Sequence, residues 1–255
     1  MLEPVEPSNF YTGLVAELYA ALRSSDPDAD VCARFVERTG QPALELGCGD
    51  GDPLLELRRR GLDVEGLDAS ADMLERCRRR AASEGLDVVV HHASIEEMDL
   101  GKQFRSIFLA GATFNLIPDD DTAMRALERI RTHLQPDGAA MIPLFVPSVV
   151  PPDARLPSAE QVSDDGVSIR CSTLSVERFD DRRVQVARLR YERGRGDEVE
   201  TLDRDWVLHW YSPSDFADLV VDAGLAVRKV LGPTGGPVGD GAKEFAFIVG
   251  RAEGG

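Results

Sequence analysis

The sequence predicts an α/β fold with a doubly wound, mostly parallel sheet, and three observations carry this prediction. Apolar strand patterns alternate with amphipathic helix patterns through residues 40–147. A glycine turn, with Gly47, Gly49 and Gly51 in G-x-G-x-G spacing, follows the first of these strands. An acid, Asp68, ends the second strand. Strand, glycine turn, helix, strand and acid in this order are typical of a sheet that binds a nucleoside.

Residues 1–39 predict two helices ahead of the sheet. In residues 8–24 the apolar side chains of one stripe recur at every fourth position: Phe10, Leu14, Leu18 and Leu22. Such a stripe is typical of an amphipathic helix. A second helix is predicted over residues 27–38, with Asp26 as its N-cap and Pro27 at its first position.

Residues 40–147 predict the core of the sheet. The expected strands are 42–46, 62–67, 87–92, 104–109 and 139–146, and the expected helices are 53–60, 71–84 and 120–134. Asp52 is a favourable N-cap for the first of these helices, and Pro53 suits its first position. Strands that alternate with helices imply parallel pairing through right-handed crossovers.

The pattern changes after Pro147, where further prolines mark a linker. Residues 148–211 predict a small antiparallel β insert, because three runs alternate apolar with polar side chains. The expected strands of this insert are 167–177, 183–193 and 198–211. Residues 212–255 complete the core with a helix at 213–223 and an antiparallel pair of strands at 225–231 and 243–250. One antiparallel strand is expected at the edge of the sheet.

The composition restricts the class of protein. The 255 residues are 43% hydrophobic, which is enough for one sizeable core. With 29 basic and 45 acidic side chains the formal charge is −16, which disfavours binding to a nucleic-acid backbone. The scattered cysteines indicate free thiols, and no cluster of metal ligands is apparent, so no metal is expected. An acidic N-terminus and the lack of an apolar run of about 18 residues predict no signal peptide, no membrane span and a cytoplasmic location.

The charge of the glycine turn distinguishes between nucleoside cofactors. Asp50 and Asp52 would both face an anionic diphosphate bound at this turn. S-adenosylmethionine carries no phosphate, and its sulfonium and ammonium groups offset its single carboxylate. The turn therefore favours S-adenosylmethionine over a nicotinamide dinucleotide. A nicotinamide-dependent oxidoreductase and a non-catalytic protein that binds S-adenosylmethionine remain the alternatives from other classes.

Three segments, residues 45–51, 67–74 and 134–138, together resemble the class I S-adenosylmethionine-dependent methyltransferases. The likeness covers roughly residues 40–147, with a weaker match to the C-terminus, and its later part is similar to small-molecule enzymes that methylate sugar or amino-acid amines. The resemblance implies a Rossmann-like seven-stranded sheet whose final hairpin is antiparallel. It also implies that residues 1–39 form a helical lid over the cofactor.

Cofactor-binding residues are expected at the carboxyl ends of the strands. Asp68 is expected to accept the ribose hydroxyls, although it could instead cap the next helix. The resemblance implies that Glu45 holds the methionine amine and that Met73 packs on the adenosine. The alternatives are a buried acid bonded to the backbone and a core methionine. The full cofactor set is Tyr11, Glu45, Gly47, Cys48, Gly49, Asp68, Ala69, Met73, Ser94, Ile95 and Ala110.

In the resembled family an acid receives the adenine amine where this chain has Ser94. A weaker contact from Ser94, or the same role for Glu96 or Glu97, is therefore expected.

The insert is expected to cap the acceptor site. Phe114, Asn115 and Trp210 are the candidate acceptor-binding residues, although a plain strand-to-helix turn explains the first two equally well. Tyr11 and His209 are the candidate catalytic residues, with a packed tyrosine and a satisfied histidine as the alternatives. The expected reaction is methylation of a small molecule, with nitrogen as the first acceptor atom and oxygen or carbon as alternatives. A homodimer through the insert is possible on this pattern.

Overall fold

The computed structural model describes residues 10–23, 28–151, 153–162, 166–196, 198–233, 235–239 and 241–252. Helix α1, Leu14–Leu22, begins after Gly13, whose φ of 54° interrupts the single helix that was predicted over 8–24. Helix α2, Ala29–Thr39, begins later than predicted, since the side chain of Asp28 accepts the N–H groups of Asp30 and Val31. The cap predicted at Asp26 and Pro27 lies outside the described residues.

The main sheet contains seven strands, as the resemblance implied. They are β1 Ala43–Leu46, β2 Val64–Asp68, β3 Val90–His92, β4 Phe104–Phe108, β5 Leu134–Phe145, β10 Leu225–Leu231 and β11 Glu244–Arg251. The helices between them are α3 Leu54–Arg59, α4 Ala71–Ser83, α5 Asp120–His133 and α6 Pro213–Asp222. Across the sheet the strand order is β10-β11-β5-β4-β1-β2-β3.

Strand β11 is antiparallel to both of its neighbours, and it lies inside the sheet between β5 and β10. The prediction of an antiparallel strand at the edge was therefore wrong, although the predicted hairpin is confirmed. The side chains explain the order. Phe247 and Val249 of β11 are fully buried, whereas Arg228 and Lys229 of β10 are exposed and suit an edge strand.

The insert is a separate antiparallel sheet with four strands rather than the three predicted. They are β6 Ser158–Val162, β7 Ser168–Phe179, β8 Val184–Arg195 and β9 Glu198–His209. The sequence prediction missed β6 because all five of its residues are exposed, so no apolar alternation marks it.

Helix α1 packs on one face of this insert. Phe10, Leu14, Val15 and Leu18 form a buried cluster with Tyr191 of β8. Two larger clusters lie on the two faces of the main sheet, one under α5 and α6 and the other under α2, α3 and α4. Within the described ranges, no helix has the length and apolar character needed to cross a bilayer.

Candidate active site

A cavity of about 400 Å³ opens at the carboxyl ends of β1 and β2. Eight of the predicted site residues line it: Tyr11, Gly47, Gly49, Asp68, Ala69, Met73, Ser94 and Ile95. Several other lining residues are not among those predicted from the sequence: Leu67, His92, Ala93, Thr113, Leu116, Ile117 and Pro118. Except for Leu67, these residues lie outside the segments that resemble a known family, so only the sheet topology points to them.

The glycine turn approaches its neighbours closely. Gly47 has a φ of 71°, and a Cβ there would lie 2.6 Å from Cγ2 of Thr113. Gly49 has a φ of 54°, and its N–H donates to Oδ2 of Asp68 over 2.8 Å. Side chains at these two positions would strain the backbone or fill the cavity. Glycine at both positions therefore lets the turn lie close to Thr113 and Asp68 while its backbone lines the cavity.

Asp68 links the turn to the start of α4. Its Oδ2 accepts the Gly49 N–H and its Oδ1 accepts the Ser70 N–H, each over 2.8 Å. Burial raises the pKa of Asp68, although these two backbone donors favour its charged form. A carboxylate has about four acceptor positions, so two remain after these bonds are made.

The carboxylates of the turn are bound by two arginines. Oδ2 of Asp52 accepts from Nη2 of Arg23 over 2.7 Å, and Oδ1 accepts from Nη2 of Arg80 over 2.9 Å. Asp50 lies 3.2 Å from Arg80 and 3.7 Å from Arg23. Although burial raises it, the hydrogen bonds from Arg80 and Arg23 bring the pKa of Asp52 below its ordinary value.

Two conclusions drawn from the sequence of this turn are corrected by these contacts. Asp52 does not cap α3, whose N-cap is Pro53 without a side-chain hydrogen bond. The charges of Asp50 and Asp52 are largely compensated by the arginines, so they are not a strong argument against a diphosphate. Both arginines lie far from the turn along the chain, so the sequence alone does not reveal this pairing.

Two buried polar side chains beside the cavity have no hydrogen-bond partner among the described residues. Both carboxylate oxygens of Glu45, which is fully buried, are unpartnered, and so is Oγ of Ser94. Burial, together with the nearby charges of Asp52 and Asp68, raises the pKa of Glu45 well above its ordinary value. Buried polar groups without partners are uncommon, and they point to atoms that a ligand can satisfy.

Three of the predicted cofactor residues do not line the cavity. Glu45 lies two residues before the turn, on the same face of β1 as Ala43, whose cluster lies under α2, α3 and α4. Cys48 is buried behind the turn, where burial raises the pKa of its thiol. Ala110 lines a second, larger cavity with Met141 and Phe145.

The segment ahead of α1 lies over the cavity. Its Tyr11 carbonyl accepts from Oγ of Ser70 over 2.6 Å, and its Gly13 N–H donates to Oδ2 of Asp72 over 2.7 Å. The Tyr11 ring packs edge-on against Tyr19, with 5.5 Å between the centroids. Burial, followed by the neighbouring Tyr19 and Asp68, raises the pKa of Tyr11, so its hydroxyl stays protonated.

The predicted acceptor residues do not line the cavity. Phe114 is fully buried in the core and packs edge-on against Phe216 at 5.2 Å. Nδ2 of Asn115 donates to the carbonyls of Phe145 and His209, and its Oδ1 accepts the Phe145 N–H. Trp210 stacks under Arg178, whose guanidinium carbon lies 4.0 Å from the ring centroid.

His209 is also absent from the cavity lining, and only 3% of it is exposed. Its Nδ1 lies 3.1 Å from the Tyr211 hydroxyl and its Nε2 lies 3.5 Å from Asp120. Burial lowers the pKa of His209, which favours the neutral ring. The structure therefore surrounds this histidine with protein groups.

The described lining of the cavity is acidic. It carries the carboxylates of Asp68, Glu96 and Glu97, and it includes no lysine or arginine. A cationic or amine-bearing ligand is electrostatically favoured in such a space, and an anionic one is disfavoured.

Comparisons with known proteins agree with this geometry. Residues 43–138 match a methyltransferase domain. The chain is 31% identical over 144 residues to a dTDP-3-amino-3,6-dideoxy-alpha-D-glucopyranose N,N-dimethyltransferase of Streptomyces fradiae. This match spans 53% of the chain and only 55% of that relative. A second dTDP-amino-sugar N,N-dimethyltransferase, from Streptomyces venezuelae, is 25% identical over 91% of the chain and 92% of its own length.

Solved structures share the complete fold. The sugar N-methyltransferase KedS8 of a Streptoalloteichus species superposes with a TM-score of 0.77 at 20% identity, over 99% of both chains. The methyltransferase CcbJ of Streptomyces caelestis also gives a TM-score of 0.77, at 18% identity, over 96% of this chain and 99% of its own.

The matched segment, the glycine turn and the strand order agree with the class I S-adenosylmethionine-dependent methyltransferase fold that the sequence resemblance implied. S-adenosylmethionine is the cofactor of this class, and the site suits it. The backbone of Gly47 and Gly49 lines the cavity without side chains, and Ser94 in the same lining offers an unpartnered oxygen.

Proposed function

We propose that this chain transfers a methyl group from S-adenosylmethionine to the amino nitrogen of a small acceptor, an amino sugar in the first instance. The observation that carries the proposal is the cavity at the ends of β1 and β2, whose described charged lining is entirely carboxylate. Such a lining favours an amine over an anionic group at the end of the acceptor that enters the cavity. The two dTDP-amino-sugar N,N-dimethyltransferases among the relatives support the same choice.

The cofactor contacts follow from the lining of the cavity. We assign the ribose hydroxyls to Asp68, which keeps acceptor positions beyond its two backbone bonds. Met73 and Ile95 supply an apolar wall for the adenine, and the unpartnered Oγ of Ser94 supplies a polar contact. The backbone of Gly47, Gly49 and Ala69 then lies against the remaining cofactor atoms. Glu45 does not line the cavity, so we assign its contact with the ammonium group to a bridging water rather than to a direct bond.

When bound, the cofactor supplies a methyl carbon activated by the adjoining sulfonium. The protein has to align a neutral amine with this carbon and exclude water. Tyr11 keeps its proton because burial raises its pKa, so we assign it a positioning hydrogen bond rather than the role of a base. Glu96 and Glu97 are the lining carboxylates that can hold the incoming ammonium and take its proton.

We further propose that residues 1–39 form the lid and residues 148–211 the acceptor cap, around a core of 40–147 and 212–255. The bonds from Ser70 and Asp72 to the segment ahead of α1 support the lid. The packing of α1 on the insert joins lid and cap into one roof. A dimer through the insert, a cytoplasmic location and the lack of nucleic-acid binding stay predictions.

The proposal is tested by incubating the purified chain with S-adenosylmethionine and two acceptors. One is a dTDP-linked 3-amino-3,6-dideoxyglucose, and the other is its analogue with oxygen in place of the amino nitrogen. Mass spectrometry should detect the gain of one or two methyl groups on the amine only. Methylation of the oxygen analogue alone would replace the proposal by O-methylation, and no product with any amine would refute it.

A further inference from the structure

We propose that the face of the β insert turned toward α1 holds an oxyanion of the acceptor, a phosphate or a carboxylate, through Arg204, Trp206 and Gln185. The inference deepens the proposed function, because it assigns the acceptor a negative group in addition to its amine. It rests on three side chains of one face, each of which has one buried polar atom without a partner among the described residues.

The strand register brings these side chains to one face. Trp206 pairs with Ala187, Arg204 with Leu189, and Gln185 with Leu208. Alternate residues of a strand share a face, so Arg204 and Trp206 are adjacent on β9 and Gln185 is diagonal to Trp206 on β8. Diagonal neighbours are about 7–8 Å apart, which long side chains span. The indole therefore lies between the guanidinium and the amide.

None of the three side chains has its hydrogen-bonding capacity satisfied. Nε of Arg204, Nε1 of Trp206 and Oε1 of Gln185 are buried and have no partner among the described residues. Gln185 is only 8% exposed, so bulk water does not compensate it. Native proteins rarely leave such groups unpaired, and several on one face point to a ligand.

The opposite face of the same strands provides the contrast. There Arg190 donates to Asp203 over 2.8 Å, and Arg188 lies 3.8 Å from Asp205. Each outer arginine thus has a carboxylate across the strand pair. Arg204 forms no hydrogen bond or ion pair with any residue that the structure describes, so its five N–H donors are available to a ligand.

The inward face and the cavity meet at a shared apolar cluster. Trp206 packs beside the same apolar cluster as Tyr11, and Tyr11 also lines the cavity. The described lining of the cavity repels an oxyanion, because its charged members are Asp68, Glu96 and Glu97. An acceptor with an amine at one end and an oxyanion at the other would therefore place the amine among the carboxylates and the oxyanion on Arg204.

The chemistry of the three groups suits such a ligand. Guanidinium matches phosphate or carboxylate in a bidentate manner, and the indole N–H adds a donor beside it. Oε1 of Gln185 can accept from a hydroxyl of the ligand. A nucleotide-linked sugar supplies the oxyanion as a phosphate, and an amino acid supplies it as a carboxylate.

The test titrates the protein, saturated with S-adenosylhomocysteine, with inorganic pyrophosphate and with 4-aminobutyrate in a calorimeter. The Arg204→Gln variant should weaken binding roughly tenfold or more, as expected for a lost charge-assisted bond, and Arg204→Lys should recover part of it. Arg188→Gln, on the outer face, should bind like the wild type. Binding of pyrophosphate alone identifies the oxyanion as phosphate, and binding of 4-aminobutyrate alone identifies it as carboxylate.

The inference is overturned if the wild type binds neither probe, or if Arg204→Gln binds as the wild type does. Because these titrations need no turnover, their outcome is independent of whether the amine is methylated. With an active acceptor, Arg204→Gln should raise KM roughly tenfold and change kcat less than about twofold, since the group binds substrate away from the reacting atoms. A loss confined to kcat would contradict the assigned role.

Discussion

Arg23, the residue that follows α1, donates from Nη2 to Oδ2 of Asp52 in the glycine turn over 2.7 Å. Only 15% of the arginine side chain and 22% of the aspartate side chain are exposed. The contact ties the end of the proposed lid directly to the turn against which the cofactor is proposed to bind. Arg80 of α4 bonds to the same carboxylate, so the turn stays partly compensated when the lid contact is removed.

Arg23→Gln should therefore loosen the lid without destroying the turn. We expect the dissociation rate of S-adenosylhomocysteine to rise roughly threefold to tenfold, in line with the loss of a partly buried charged hydrogen bond. Stopped-flow displacement measures this rate. Arg79→Gln, which removes an exposed pair with Glu75 on α4, is the matched control and should leave it unchanged. Equal dissociation rates in both variants and the wild type would mean that Arg23 does not hold the lid closed over the cofactor.

Glu45 makes the stability of the cofactor-free protein depend on pH. Burial, with Asp52 and Asp68, raises its pKa well above the ordinary 4.5, so the folded chain disfavours the charged form. At pH below 4.5 the carboxyl is neutral in both states, and its penalty on folding is absent. The penalty grows as the pH rises above 4.5, until the folded pKa is reached.

Glu45→Gln should consequently be more stable than the wild type at pH 7 to 8, and this advantage should vanish as the pH falls toward 4.5. Urea denaturation at several pH values, without cofactor, gives the difference. A variant that is less stable at neutral pH would mean that the carboxylate is charged and satisfied in the folded chain.

Asn115 fastens the end of β5 to the end of β9. Its side chain forms three hydrogen bonds to the backbone of Phe145 and His209, and the residue is fully buried. Asn115→Ala should lower the free energy of unfolding by about 2–4 kcal/mol, because buried backbone groups lose their partners. Gln103→Ala, which removes an exposed amide bonded to the Thr132 carbonyl, should change it by less than about 0.5 kcal/mol. Equal losses of unfolding free energy in the two variants would mean that Asn115 does not stabilise the junction of β5 and β9.

His209 should matter more for stability than for methyl transfer. His209→Gln removes the contact with the Tyr211 hydroxyl and should cost about 1–2 kcal/mol at pH 7, with kcat per folded molecule almost unchanged. Since burial lowers the pKa of His209, the wild type should also lose stability relative to this variant as the pH falls below 6.5. Denaturation curves and initial rates check both parts. A large fall in kcat in a His209→Gln variant that is as stable as the wild type would support the catalytic role predicted for His209.

Local patterns in the sequence were sufficient for the core of the fold. The glycine turn and Asp68 lie close together along the chain, and strand and helix periods fix their places. Six cofactor residues predicted at or just after strand ends therefore line one cavity. The order of strands was not accessible in this way, because the position of β11 inside the sheet depends on which residues of the last hairpin are buried.

Contacts between distant parts of the chain account for the remaining differences. The position of Asp52 suited a helix cap, but its carboxylate is bound by Arg23 and Arg80. No spacing rule predicts these two ion pairs from the sequence. Asn115 suited an acceptor contact by its place after β4, but its amide is used by the backbone of two other strands. Strand β6 carries no apolar pattern, because it is exposed on every residue.

Calorimetric titration of S-adenosylhomocysteine into the wild type and an Asp68→Ala variant tests the central claim most directly. Asp63→Ala, which changes an exposed acid just before β2, is the control. The account predicts binding to the wild type and the control, and a loss of roughly 100-fold or more in Asp68→Ala, since a charged acceptor of two hydroxyls is removed. No binding to the wild type, or equal binding to the wild type and Asp68→Ala, would contradict it.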